Sequence, residues 1–158
     1  MVGDRWCWPH LAMTAGTVAP GTQIVDDGGM NETTRVTVRV LIVDDQMPFR
    51  EASRMVVEMT DGFEVVGEAQ SGLEALDIVA RLRPDLVLMD IQMPGIDGIE
   101  TTRRITALPD PPIVVLMSTH ESGDYAGIAI EAGAIGFVPK SQFGFDTLVT
   151  MWELAATR

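Results

Sequence analysis

The chain has 158 residues, of which 46% are hydrophobic, and it carries a formal net charge of −12. This length suits one domain with or without a tail, and the charge argues against direct binding to nucleic acid, which requires a basic surface. No apolar run reaches the roughly 18 residues that a membrane span needs, and the one cysteine, Cys7, excludes an internal disulfide. We therefore expect a cytoplasmic protein without a membrane partner.

The first 35 residues differ in composition from the rest of the chain. Residues 1–35 contain glycines, threonines and prolines without a periodic apolar pattern, which is typical of a disordered extension. Met30 opens the segment MNETTRVTVRV and would serve as a natural start, so we interpret residues 1–29 as an upstream addition. N-terminal mass analysis of the native protein would test this interpretation. Residues 36–158 are predicted to form one domain.

From residue 36 onward, short β-rich runs alternate with segments of helical spacing. Continuous apolar strands indicate burial on both faces of a parallel sheet, and five β–α units in about 120 residues predict a doubly wound α/β domain with helices on both faces. Ser71-x-x-Glu74 is a helix-capping pattern, and Asp97 with Glu100 has the same spacing. The predicted elements are a strand over Arg39–Val43, a helix over Pro48–Met59, a strand over Phe63–Ala69, a helix over Ser71–Arg83, a strand over Leu86–Met89, a helix over Asp97–Leu108, a strand over Ile113–Met117, a helix over Tyr125–Ala132, a strand over Gly136–Val138 and a helix over Phe145–Ala156.

Polar residues follow four of the five apolar strands at the points where the strands end. The carboxyl ends of parallel strands share one edge of the sheet, where ligands bind in such folds. We therefore expect three carboxylates, a hydroxyl and an ammonium group to converge there, with Asp90 as the exposed tip of its strand. The residues are Asp44 and Asp45 after the first strand, Asp90 after the third, Ser118 after the fourth and Lys140 after the fifth.

The chemistry of this set favours a metal ion and a phosphoryl group. Neighbouring carboxylates repel one another, at about 3 kcal/mol per pair for a separation of roughly 5 Å and an effective dielectric near 20. Mg²⁺ relieves such repulsion, since it prefers carboxylate and phosphate oxygens, and an aspartate beside it can attack phosphorus to form an acyl phosphate. The chain has ten arginines and one lysine, Lys140, whose compact charge would suit the phosphoryl oxygens.

Several motifs occur in a fixed order: Asp44-Asp45 after LIV, Asp90 followed by MPGIDG, then Ser118, then GFVPK ending at Lys140. On these motifs, residues 39–156 resemble the receiver domain of bacterial two-component response regulators. The resemblance implies a flavodoxin-like sheet with strand order 2-1-3-4-5. The segment AGAIGFVPK is similar to receivers that precede a helix-turn-helix DNA-binding domain, so the chain would either serve transcription regulation through such an output domain or be a stand-alone receiver.

The resemblance implies a role for each residue near the phosphoryl group. Asp90 would be the phosphoacceptor and Lys140 would contact the phosphate. Asp45 and Asp90 would ligate Mg²⁺ directly, together with the backbone carbonyl of Gln92. Asp44 would act on the metal largely through water. The chain would then be a signalling phosphoacceptor that promotes only its own phosphorylation and dephosphorylation.

The same resemblance implies a switch and its partners. Ser118 and Phe137 would be the switch hydroxyl and the switch aromatic, although threonine and tyrosine are commoner at these positions. Phe137 has no hydroxyl, so it would act through packing alone. A sensor histidine kinase or a histidine phosphotransfer protein would donate the phosphoryl group, and a homodimer would form through the last two helices and the last strand.

Two alternatives to the phosphorylated switch stay open. A Mg²⁺-dependent aspartyl phosphatase would carry a second aspartate two residues after the nucleophile, where this chain has Gln92. A pseudo-receiver would act without phosphorylation, and the complete set of carboxylates and lysine counts against it. Each residue taken alone also has a plain structural explanation, such as a turn, a helix cap or a solvated surface charge.

Overall fold

The computed structural model describes residues 36–120 and 124–157. The predicted disordered extension, the start at Met30 and Cys7 all lie outside these described residues. Among the described residues, no helix is both long enough and apolar enough to cross a membrane.

Strands and helices alternate along the chain as the sequence predicts. Their ends differ from the predicted ones by no more than two residues, which is the usual uncertainty of a helix or strand end. The elements are β1 (Val38–Val43), α1 (Met47–Glu58), β2 (Phe63–Ala69), α2 (Gly72–Leu82), β3 (Leu86–Asp90), α3 (Gly98–Thr106), β4 (Ile113–Ser118), α4 (Tyr125–Ala132), β5 (Gly136–Pro139), a short 3₁₀ turn (Lys140–Gln142) and α5 (Phe145–Ala156).

The five strands form one parallel sheet in the order β2-β1-β3-β4-β5, which confirms the predicted topology. Strands β3 and β4 are buried along their whole length, and β1 nearly so, because helices cover both faces of the sheet. The edge strands β2 and β5 are mostly half-buried. The continuous apolar pattern therefore marks the central strands most clearly.

The pairing of β1 with β2 contains one irregularity, which we call the β2 bulge. Val40 pairs with Val65, but the next residue, Leu41, pairs with Gly67, so that Val66 is an extra residue in β2. Gly67 faces α2, since a Cβ placed there would lie 3.4 Å from side-chain atoms of Ile78. A bulge of this kind reverses the alternation of side chains between the two faces of the strand.

The sheet separates two apolar cores. One lies on the α2–α4 side and includes Leu41, Val43, Val87, Met89 and Leu116, and the other lies on the α1 and α5 side and includes Val40, Ile42, Leu88, Val115 and Leu148. Together they hold the carboxyl ends of the strands in fixed relative positions.

Local hydrogen bonds explain where the helices begin. The Ser71 hydroxyl accepts from the backbone N–H of Glu74, and the Asp97 carboxylate accepts from that of Glu100, as the capping patterns predict. The Glu74 carboxylate returns to the backbone N–H of Gln70, one residue before Ser71. These caps satisfy backbone donors that the first helical turn leaves unpaired.

Candidate functional site

The carboxyl ends of β1 and β3 bring three carboxylates together, and we call Asp44, Asp45 and Asp90 the acidic cluster. One oxygen of each carboxylate lies within 4.8 Å of the others. Asp44 is 1% exposed and Asp90 is 4% exposed, whereas Asp45 is exposed to solvent. The expectation that Asp90 is an exposed strand tip is therefore wrong. Asp90 is the last residue of β3, and Gly98 approaches so closely that a Cβ there would lie 2.0 Å from the Asp90 carbonyl oxygen.

Lys140 reaches into the acidic cluster from the turn after β5. Its ammonium nitrogen lies 2.6 Å from Asp44 Oδ2 and 3.3 Å from Asp90 Oδ1, and its side chain is 7% exposed. The same nitrogen lies 4.5 Å from the centre of the Phe49 ring on α1, a cation–π distance. The repulsion that the sequence predicts is thus partly offset by a buried cation.

The pKa of Asp90 is raised to about 6, mainly because burial disfavours the charged carboxylate and next because the Asp44 charge repels it. The Lys140 ammonium and a hydrogen bond from the Gln92 backbone N–H act in the opposite direction. Both stabilise negative charge on Asp90, the charge that a nucleophilic carboxylate must carry.

Asp44 is held by contacts from several directions. Its backbone N–H donates to the Ala69 carbonyl at 3.0 Å, and its Oδ1 accepts from the Gln46 N–H at 2.8 Å. Its carbonyl oxygen accepts from Arg50 Nη1 at 2.7 Å. The turn that presents the two adjacent carboxylates is therefore fixed by both backbone and side-chain bonds.

Arg50 is a residue that the sequence reasoning missed. It lies on α1, is 6% exposed, and donates through Nε to Glu68 Oε1 at 3.2 Å. Glu68 also contacts Arg54, which pairs in turn with Glu58 at 3.1 Å. The sequence does show an arginine six residues after Asp44, on the inward side of a helix that starts beside the site. This position could have identified Arg50.

Ser118 and Phe137 lie on β4 and β5, next to the acidic cluster along the sheet. Asp90 pairs with Met117, and Ser118, the next residue, pairs with Pro139 immediately before Lys140. Ser118 is fully buried. Its Oγ accepts from the backbone N–H of His120 at 3.0 Å.

The half-buried Phe137 ring packs against Tyr125, the first residue of α4, with ring centres 5.3 Å apart. Tyr125 is a second residue that the sequence reasoning missed, because its contact joins β5 to the start of a different helix. The pairing gives Phe137 an aromatic partner in place of a hydrogen bond. We call Ser118, Phe137 and Tyr125 the switch half of the site.

An open cavity of about 510 Å³ lies beside the end of β3. His120 Nδ1 lies 3.0 Å from Gln92 Oε1, so these two side chains meet at the edge of the site. The cavity is lined by Ile91, Gln92, Met93, Pro94, Asp97, Ile99 and Tyr125. The Tyr125 ring thus contacts both this cavity and the switch aromatic.

The donor set of the acidic cluster fits a hard divalent cation. Mg²⁺ is bound in proteins by one or two carboxylates with water and phosphate oxygens, and the three carboxylates lie close enough to share one ion. No other group of three or more histidine, cysteine, aspartate or glutamate side chains within residues 36–120 and 124–157 has this arrangement.

Comparisons with known proteins agree with this geometry. The family described as the response regulator receiver domain matches residues 40–153. A protein-glutamate methylesterase/protein-glutamine glutaminase from Hahella chejuensis is 47% identical over 105 residues, which are 65% of this chain and 30% of that protein. The transcriptional regulatory protein DegU from Brevibacillus brevis is 34% identical over 120 residues, which are 75% of this chain and 50% of that protein.

Solved structures give the same result for the fold. A two-component response regulator of the LuxR family from an Aurantimonas species aligns with a TM-score of 0.71 and 34% identity, covering 77% of this chain and 87% of that chain. The two curated relatives are longer, and the chain spans half of their length or less.

Proposed function

The chain belongs to the response regulator receiver family, and from that premise we propose that Asp90 accepts a phosphoryl group and thereby switches the surface around β5. The observation that carries this proposal is the position of Lys140, whose ammonium lies 3.3 Å from Asp90 Oδ1 inside an acidic cluster. A buried lysine on this carboxylate can neutralise the oxygens of a transferred phosphoryl group.

The proposed reaction is a simple displacement at phosphorus. An Asp90 carboxylate oxygen attacks the phosphorus atom of a phosphohistidine, the P–O bond forms, and the P–N bond breaks. The leaving imidazole keeps the bonding electron pair and takes up a proton from water. Hydrolysis of the resulting acyl phosphate by water returns the carboxylate and releases inorganic phosphate.

Asp44, Asp45 and Asp90, with the backbone carbonyl of Gln92, would hold Mg²⁺ in this proposal. When bound, the ion supplies positive charge to the equatorial phosphoryl oxygens. The exposure of Asp45 supports a role as a direct ligand that cation and water can reach. The Asp44 carboxylate is already engaged by the Lys140 ammonium and by the backbone N–H of Gln46, which supports a role through water rather than direct ligation.

Ser118 and Phe137 are proposed as the switch. The Ser118 hydroxyl would turn from its contact with the His120 backbone to donate to a phosphoryl oxygen. Because β5 is an edge strand and Phe137 is half-buried against Tyr125, a shift of Ser118 can be passed to the start of α4 through ring packing. A phosphoryl group shifts such an equilibrium only through contacts that differ between the two states.

We propose a sensor histidine kinase or histidine phosphotransfer protein as the phosphodonor. A homodimer through α4, β5 and α5 is proposed for the phosphorylated chain, supported by the exposed apolar side chains Ile130, Phe145 and Leu154 on these helices. Sedimentation velocity with and without a phosphodonor measures this dimerisation. A chain that stays monomeric after phosphorylation would contradict the proposed homodimer. The curated relatives include a methylesterase and a transcriptional regulator, so the output of a full-length protein would be of either kind.

The function is tested by labelling the chain with a small phosphodonor in Mg²⁺. We expect one phosphoryl group per chain, labile to hydroxylamine, and a loss of at least about 100-fold in Asp90→Asn, because the amide is not a nucleophile. Asp77→Asn is the control, since Asp77 is an exposed carboxylate on α2 that pairs with Arg81 away from the site. Undiminished labelling of the Asp90→Asn variant at the same site would overturn the proposal.

The same preparation separates the proposal from its alternatives. A chain that hydrolyses an unactivated phosphomonoester over many turnovers would be an aspartyl phosphatase. A chain that binds Mg²⁺ but takes up no phosphoryl group would be a pseudo-receiver. The proposed switch takes up a phosphoryl group in Mg²⁺ and does not hydrolyse such a monoester over many turnovers.

A further inference from the structure

Arg50 is a buried cation whose contacts end on the backbone of the acidic turn. Its Nη1 donates at 2.7 Å to the Asp44 carbonyl, and its Nε donates to Glu68 at 3.2 Å. The Asp44 carbonyl belongs to the peptide that joins Asp44 to Asp45. Because a peptide unit is planar and rigid, fixing this oxygen restrains the two Cα atoms from which both carboxylates extend.

From these contacts we infer that Arg50 is a positioning residue for the divalent cation, which sets the affinity for Mg²⁺ by holding the Asp44–Asp45 peptide. This inference rests on the proposed function, since it concerns the ion that the acidic cluster would bind. Arg50 does not need to touch the ion or the phosphoryl group. Groups that orient metal ligands commonly change metal affinity by about 10–100-fold when they are removed.

The guanidinium geometry explains why an arginine suits this position. Its planar fork can donate to a carbonyl and a carboxylate at once and in fixed directions. Glu68 supplies the compensating charge, which a buried cation requires. A lysine at residue 50 could reach the carbonyl or the carboxylate but could not hold both in one plane.

The electrostatic field of Arg50 and its positioning role predict opposite results, which makes the inference testable. A positive charge near the acidic cluster repels a cation, so its removal should strengthen Mg²⁺ binding if field effects dominate. The loss of the bond to the Asp44 carbonyl should weaken binding if positioning dominates. The sign of the change therefore identifies the role.

Arg54 is the matched control for this experiment. It is the next arginine on α1, and its ion pairs are with Glu68 and Glu58 rather than with the acidic cluster. Arg54→Met therefore removes a similar charge and disturbs Glu68 while leaving the bond to the Asp44 carbonyl in place. We expect this variant to bind Mg²⁺ with a dissociation constant close to that of the wild type.

The experiment titrates the chain with Mg²⁺ and follows the amide chemical shifts of the β1–α1 turn to obtain a dissociation constant. For Arg50→Met we expect this constant to rise about tenfold or more, and for Arg50→Lys to rise by a smaller factor, since an ammonium still donates to the carbonyl. In parallel, the Mg²⁺ concentration for half-maximal labelling of Asp90 should rise by the same factor, while the labelling rate at saturating Mg²⁺ stays near the wild-type value.

Several outcomes would overturn the inference. They are tighter or unchanged Mg²⁺ binding in Arg50→Met, equal weakening in Arg54→Met, or a loss of labelling rate that saturating Mg²⁺ does not restore. If Arg50→Met does not fold, the comparison of Arg50→Lys with wild type decides, and identical dissociation constants would overturn the inference. Failure of the wild type to bind Mg²⁺ or to be labelled would instead overturn the proposed function.

Discussion

The two halves of the site differ in how the fold holds them. In the acidic half, Asp44 and Asp90 lie at the ends of the central strands β1 and β3, are almost fully buried, and are tied to Lys140. In the switch half, Phe137 and Tyr125 are half-buried on an edge strand and at the start of an eight-residue helix. Strongly packed central strands open rarely, whereas edges and short helices rearrange at lower free-energy cost. Phe137 and Tyr125 thus lie at the edge of the fold, whereas Ser118, the third residue of the switch half, shares the burial of the acidic half on the central strand β4.

Lys140 joins the two halves, because it contacts both aspartates and follows β5 directly. Lys140→Arg keeps the charge but places a larger, planar group in a side-chain position that is only 7% exposed. We expect Asp90 still to be labelled in Mg²⁺, while the switched population falls about tenfold, because the phosphoryl group loses a contact that differs between the two states.

Amide chemical shifts with and without phosphorylation measure this effect. The wild type should show changes reaching Ser118, Phe137 and α5, and the Lys140→Arg variant only changes beside Asp90. Arg81→Lys, an exposed position paired with Asp77, serves as the control and should behave as the wild type. Wild-type-like changes in Lys140→Arg would show that this lysine does not couple the halves.

The sequence alone predicted the order of elements and the residues at the strand ends, because apolar periodicity and polar strand ends are local signals. The strand order came from the resemblance. The sequence predicted that Lys140 meets the aspartates, but it could not give other contacts between distant elements, namely Arg50 with the Asp44 carbonyl and Tyr125 with Phe137. Those contacts depend on which side chains from non-adjacent helices and strands meet after packing. The burial of Asp90 was missed for the same reason.

The two adjacent carboxylates of the acidic half, Asp44 and Asp45, are expected to contribute differently to stability. In EDTA, the sequence argument from repulsion predicts that Asp44→Asn and Asp45→Asn both stabilise the chain. Because Asp44 pairs with Lys140, we expect the two substitutions to change the stability in opposite directions. We expect Asp44→Asn to lose about 1–2 kcal/mol of unfolding free energy, less than the roughly 3–5 kcal/mol of a fully broken buried pair, because Asp90 remains as a partner.

Asp45→Asn should instead gain about 0.5 kcal/mol, because an exposed charge contributes only weak, screened repulsion. Urea unfolding of both variants in EDTA measures the difference. Equal stabilisation by the two substitutions would mean that repulsion dominates the metal-free cluster and that the Lys140 contact adds nothing.

The last expected effect concerns the pH dependence of stability without metal. The pKa of Asp90 is raised to about 6 in the folded chain, above its ordinary value of 3.8. The folded state then binds more protons between these values, so this contribution to stability is fully present below about pH 4 and is lost as the pH rises through about 6. After allowance for solvent screening, we expect a change of about 1 kcal/mol between the wild type and Asp90→Asn across this range.

Urea unfolding from about pH 4 to about pH 7 in EDTA checks this expectation. The difference in unfolding free energy between the two proteins should shift in favour of the Asp90→Asn variant as the pH rises. A constant difference across the range would indicate that Asp90 titrates near its ordinary pKa.

The β2 bulge makes the pairing register of an outer strand matter to the centre of the molecule. Val65 belongs to the core on the α1 and α5 side, and the extra residue Val66 brings Glu68 back to that side opposite Ile42, where Arg50 lies. In a strand with strict alternation from Val65, Glu68 would face α2 instead. The bulge thus accommodates Val66 while keeping Glu68 beside Arg50, and a β2 strand of the same length without the bulge would leave every acidic ligand in place and still separate Arg50 from its counter-charge.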